Sequence, residues 1–141
     1  PYRRSLDTIR EAAEHFGMTI HTDERLRERE AAPGGNVREL FRKRWADFGW
    51  HEPGGESLRS VQERNIAALT DILTAERDKT VVVGTHGTAL STILNYYDPS
   101  YNCGSFLRII DWMPFVVELD FEGTRFLGKT EHVYVEKLFK P

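Results

Sequence analysis

The sequence predicts an α/β domain with an antiparallel β-rich C-terminal part, and three observations lead there. A short apolar run, Thr80-Val81-Val82-Val83-Gly84-Thr85, sits between two stretches whose apolar residues recur at helical spacing. Such a helix, buried strand and helix in sequence form an α/β unit, in which ligands bind at the carboxyl ends of the strands. Beyond Tyr101 the pattern changes to short strands, with Glu122-Gly123-Thr124 as a hairpin turn. At 141 residues and 16.3 kDa the chain fits one domain over 1–141.

From Arg3 to Phe16 the residues Leu6, Ile9, Ala12, Ala13 and Phe16 define one face of an amphipathic helix that Gly17 stops. Met18 to Thr22 alternates apolar and polar as a short strand or extended link. The cluster Asp23-Glu24-Arg25-Leu26-Arg27-Glu28-Arg29-Glu30 is too charged to be core, and Pro33-Gly34-Gly35-Asn36 breaks the chain. Val37, Leu40, Phe41, Arg44, Trp45 and Phe48 follow at helical spacing, and a second break runs from Gly49 to Gly55. Ser57 can cap the next helix, with Ser60 and Glu63 as an alternative capping box. That helix continues through Leu58, Val61, Ile66, Leu69, Ile72 and Leu73 to near Arg77-Asp78. Ala89, Leu90, Ile93 and Leu94 mark another helix opening at His86-Gly87-Thr88, and strands are expected at Phe106 to Ile110, Pro114 to Phe121 and Thr130 to Leu138.

Composition removes several classes of function. The 19 Lys and Arg against 22 Asp and Glu give a net charge of −3, without the basic surplus that tracks a nucleic acid backbone. No apolar run reaches about 18 residues, and no signal peptide follows Pro1, so no membrane partner and a cytoplasmic location are expected. The single cysteine, Cys103, excludes an intrachain disulfide and reads as a packing residue. His15, His21, His51 and His132 lack His-x-x-x-His spacing or an accompanying carboxylate cluster, so no metal and no cofactor are expected. Trp45, Trp50 and Trp112 read as core or cleft-wall residues. The sequence opens without Met, in charged, helix-compatible text, and further chain upstream of Pro1 is expected.

His86 is the most informative position. It follows the apolar run and precedes a helix, where backbone N–H groups favour an anion and an imidazole can bind phosphate or exchange protons with it. Arg4, at the start of the first helix, can grip two oxygens of an anion bound nearby. Taken singly, Arg4 reads as a surface arginine and Glu28 as part of a solvated charge run.

The ordered set carries more than its parts. Pro-x-x-Arg-x-x-x-Thr from Pro1, Arg-Leu-Arg-Glu ending at Glu28, Gly-Glu-Ser at Gly55 to Ser57, and Val-Val-Val-Gly-Thr-His-Gly ending at Gly87 resemble the histidine phosphatase family in order, spacing and context. The likeness runs from Pro1 to about Leu94, two-thirds of the chain, and its His-Gly element is the most specific. The resemblance implies a doubly wound three-layer α/β sandwich of phosphoglycerate-mutase-like type. Its phosphate pocket is built from two histidines, two arginines and an acid. It also implies a metal-independent phosphatase of small phosphorylated metabolites, working through a phosphohistidine.

By that resemblance, Arg4 holds the phosphate, Glu28 donates a proton to the leaving oxygen, and His86 stabilises the transferring phosphoryl group with the Gly87 amide. Glu56 and Ser57 are implied to be helix-capping architecture. The family's nucleophile lies in an Arg-His-Gly motif that this sequence does not contain. It is expected upstream of Pro1, and the 141-residue chain alone is expected to be inactive and, for want of the central strand, either poorly stable or sustained by a bound upstream segment or a second copy in the gap. The alternatives are a phosphoglycerate-mutase-type phosphotransferase and a non-catalytic phosphate-binding module. The 57 residues separating Glu28 from His86 are shorter than mutases carry and favour the phosphatase. A homodimer is compatible with all three.

Overall fold

The computed structural model describes residues 2–35 and 37–136. Helix α1 spans Arg3–His15 and ends as the sequence requires. Gly17 adopts φ +62, and the Met18 amide returns 2.8 Å to the Ala13 carbonyl, the six-to-one bond of a glycine-terminated helix. Its apolar face is only partly covered, since Ser5 is its one buried residue and Phe16 stands 71% exposed.

Two 3₁₀ turns follow, Glu24–Leu26 and Arg38–Leu40, the second running into the short helix α2, Phe41–Ala46. Helix α3 covers Leu58–Ala75, and Ser57 is its cap, accepting from the Ser60 amide at 3.1 Å. The alternative register is not used, because the Ser60 hydroxyl donates to Glu56 instead. Helix α4 is Gly87–Tyr97. Leu58, Val61 and Ala68 of α3, with Ala89, Ile93 and Leu94 of α4, are the most deeply buried apolar residues of these two helices. Gln62 adds a polar tie, donating to the Thr92 carbonyl (2.9 Å) and the Asn95 side chain (3.0 Å).

Three expectations are corrected. Phe106 to Ile110 is not a strand but the body of helix α5, Cys103–Ile109, started by a reciprocal capping box between Asn102 and Ser105. A short apolar run does not by itself separate strand from helix, and the cap decides here. Thr80 to Thr85 carries no ladder among the described residues and is not buried on both faces, for Val81 and Val82 are 44% and 70% exposed. A central strand needs a neighbour on each side, and none is present there among the described residues. The charged loop is not wholly outside the core either: Arg29 is buried, with Glu52 and Arg44.

The hairpin forms as expected. Strands β1, Trp112–Glu122, and β2, Arg125–Glu136, pair antiparallel around Gly123-Thr124, with Gly123 at φ +61. Residues 137 and 138, the end of the expected last strand, fall outside the described residues. The hairpin packs on the helices through rings, with Phe121 and Phe126 each 5.1 Å from Tyr97 of α4. Leu119 joins the core of Leu94, Tyr101 and Phe106, which Phe41 and Trp45 also cover. The described residues are thus mixed helix and strand, five α-helices and one two-stranded antiparallel sheet. The doubly wound sandwich is not seen among them.

Candidate active site

The site forms at the N-terminus of α4. His86 is the residue that caps this helix, in extended conformation (φ −134, ψ 162), but its side chain makes no capping bond. The cap is supplied from elsewhere in the chain. Glu28 accepts from the Thr88 amide on one oxygen and from the Ala89 amide on the other, each at 3.0 Å. Its own neighbour, the Arg29 amide, adds a third bond at 2.9 Å. A carboxylate placed there satisfies first-turn donors that the helix leaves open and meets the positive end of its dipole. Two of the N–H groups of this turn, where an anion is expected, are thus taken by the Glu28 side chain.

The imidazole of His86 is buried beside this carboxylate's turn, and its Nε2 has no hydrogen-bond partner among the described residues. Burial first, and then the charge of Arg4, pushes it down to about 4 from an ordinary 6.5, so near neutrality the ring is uncharged. Tyr2 packs edge-on against it with ring centroids 5.3 Å apart, and the Arg4 guanidinium lies 4.7 Å over the Tyr2 ring. Arg4 thus reaches the site from the first turn of α1. Gly87 is exposed, with no atom within 4 Å of where a Cβ would stand, so the approach to this end of α4 is open.

Gly84 explains how α1 comes so close. A Cβ there would stand 2.8 Å from the Ser5 carbonyl oxygen and 3.4 Å from Ile9. Only a residue without a side chain lets the backbone of α1 rest on the segment leading to His86.

Behind the site lies a charged cluster that the sequence did not disclose. The Arg29 and Arg44 side chains are each 2% exposed and converge on Glu52. Arg29 Nη2 donates to Glu52 Oε2 at 2.7 Å and Arg44 Nε to the same oxygen at 3.2 Å, while Arg44 Nη2 takes Oε1. Burial alone would raise the Glu52 carboxyl, but hydrogen bonds from Arg44 and Arg29 and the charge of Arg29 carry it down to about 2. Arg29 Nε also holds the Glu56 carbonyl at 2.6 Å, joining the Glu28 loop to the start of α3.

The structure therefore brings Glu28, His86 and Gly87 to one helix end, with Arg4 joined to them through Tyr2. Glu56, expected to serve capping architecture, does accept from Ser60, and it also accepts from the Glu30 amide at 3.1 Å and pairs with Arg64. Arg44 sits at an apolar helical position, and that misfit is the one signal of the buried cluster in the sequence.

A family model of the histidine phosphatase superfamily (branch 1) matches residues 1–109. The chain belongs to that superfamily. Its members carry out phosphatase or mutase-type phosphoryl transfer, and the match contains every site residue named above. No curated protein and no solved structure matches the chain. No helix among the described residues is long and apolar enough to cross a membrane.

Proposed function

We propose that this histidine phosphatase superfamily member is a cytoplasmic, metal-independent phosphatase that hydrolyses a small phosphorylated metabolite through a phosphohistidine. The observation that carries the reading is that Glu28 and His86, far apart in sequence, meet at one helix N-terminus with Arg4 close by.

The roles follow from the chemistry of each group. The nucleophile is a histidine of an Arg-His-Gly motif carried upstream of Pro1, and its nitrogen forms a bond to phosphorus as the ester P–O bond breaks. The carboxyl of Glu28 gives its proton to the departing oxygen. Water then attacks phosphorus, the P–N bond breaks, the Glu28 carboxylate takes a proton from that water, and inorganic phosphate leaves. Arg4 grips the phosphoryl oxygens, and a phosphoryl oxygen supplies the partner that His86 Nε2 lacks. The open Gly87 amide is the remaining donor of the turn.

The doubly wound three-layer arrangement over a single domain belongs to the same proposal. What supports it is the unladdered Thr80 to Thr85 run, whose exposed valines suit a strand awaiting neighbours. The short interval from Glu28 to His86 favours hydrolysis over a mutase.

The test is hydrolysis of an aryl phosphate, with chelator, by the protein carrying its natural upstream segment, beside its His86→Ala variant. Chelator-resistant turnover reduced roughly 100-fold or more in the variant is expected. No turnover from folded protein across a broad pH range would refute the phosphatase and turn attention to phosphate transfer or phosphate binding.

A further inference from the structure

Glu28 lies in neither helix nor strand, so no regular ladder places its backbone. Something else must, because a general acid displaced by about 1 Å loses on the order of 100-fold in rate. We propose that Arg64 of α3 is the positioning residue for Glu28, acting through the backbone of its loop; this rests on Glu28 being the proton donor.

The guanidinium of Arg64 is fully engaged. Nη1 donates to the carbonyls of Arg25 and Arg27, both at 2.7 Å, and Nη2 donates to the carbonyl of Glu28 itself at 3.0 Å. Its remaining N–H groups hold Glu56, with Nε to Oε1 at 2.8 Å and Nη2 to Oε2 at 2.9 Å. Glu56 is fixed in turn by the Ser60 hydroxyl at 3.0 Å and the Glu30 amide at 3.1 Å. One side chain, 12% exposed, therefore ties α3 to the Glu28 carbonyl and to two carbonyls before it, while its partner Glu56 holds the Glu30 amide after it. A planar fork with donors on three nitrogens makes these five bonds; a lysine, with its single nitrogen, does not. The carboxylate then lands where the Thr88 and Ala89 amides receive it.

A positioning role differs measurably from a stabilising one. A proton donor matters when the leaving oxygen is strongly basic and hardly at all when it leaves readily as an anion. Phenyl phosphate is the first kind of substrate and a dinitrophenyl phosphate the second. In the full-length protein, Arg64→Lys and Glu28→Gln are both expected to lower kcat/KM for phenyl phosphate by roughly 100-fold and for the dinitrophenyl ester by less than about threefold. Glu56→Gln is expected to follow in the same direction with a smaller effect. The ratio of the two substrates is measured on one sample, so loss of folded protein cancels from it.

If Arg64→Lys slows both esters equally while Glu28→Gln separates them, Arg64 only stabilises the fold and the inference is wrong. If Glu28→Gln fails to separate them, the proton-donor role itself is lost, and the inference falls with it.

Discussion

The loop Asp23 to Glu30 and the run Thr80 to Thr85 reverse the ordinary relation between residue type and burial. The loop is almost entirely charged, yet its Arg29 side chain is 2% exposed and its Glu28 carboxylate accepts three amides. The run holds three valines, and two of them face solvent. The loop has partners for every strong hydrogen-bonding group the site needs: Arg64 for its carbonyls, Glu52 for Arg29, and the turn of α4 for Glu28. The valine run has backbone groups with no ladder among the described residues. Polar groups can be taken out of water when their hydrogen bonds are replaced, and apolar groups stay in water when nothing covers them.

The strongest way to break the comparison is to remove the counter-charge under the loop. Glu52→Gln removes the carboxylate on which the buried Arg29 and Arg44 converge, and a loss of about 3 to 5 kcal/mol is expected in urea titrations. A loss under about 1 kcal/mol would mean that water reaches the arginines.

On the other side, Gly84→Ala tests whether the valine run is held as closely as α1 requires. The new methyl would meet backbone, the Ser5 carbonyl, rather than a flexible side chain. A destabilisation of about 1 to 3 kcal/mol is expected from the forced shift, with His86 burial reduced. Unchanged stability would show that α1 is free to move off this segment.

The imidazole between the two regions supplies a pH readout. Its folded value of about 4 lies below the ordinary 6.5, so the unfolded chain binds more protons between these values and stability rises with pH across that window. As pH falls from about 7 to about 4.5, the protein should lose about 2 kcal/mol more than its His86→Gln variant. Parallel curves for the two would argue that the ring is solvated.

The smallest effect sharpens the contrast most. Val82→Asp, at a position 70% exposed, should change the stability of the 141-residue chain by less than about 0.5 kcal/mol. In a protein carrying the proposed upstream segment, a loss several times larger would be the mark of the proposed doubly wound arrangement.

How much of this was legible in the sequence depended on the range of the interaction. Helices α1, α3 and α4 follow from apolar spacing plus local punctuation, with Gly17 ending one and Ser57 starting another. The hairpin follows from alternation around Gly123. For helix α5 the apolar cluster Phe106, Leu107, Ile109 and Ile110 fits a short strand as well as one helix face, and the capping pair Asn102 and Ser105 is the sequence signal that separates them. The meeting of Glu28 with α4 came through the family likeness, since a lone glutamate in a charge run carries no such signal. Of the Arg29, Arg44 and Glu52 cluster only the misfit of Arg44 at an apolar position shows in the sequence, because buried charges look like surface text until their partners are brought together in space.

Arg64 grips carbonyl oxygens, and a carbonyl is common to all twenty residue types. Substitutions at Arg25 and Arg27 therefore remove those side chains' own bonds to Asp71, Glu30 and the Glu24 carbonyl, but leave in place the carbonyls that Arg64 grips. Side chains along this loop can change, residue by residue, while the grip on the Glu28 carbonyl stays the same.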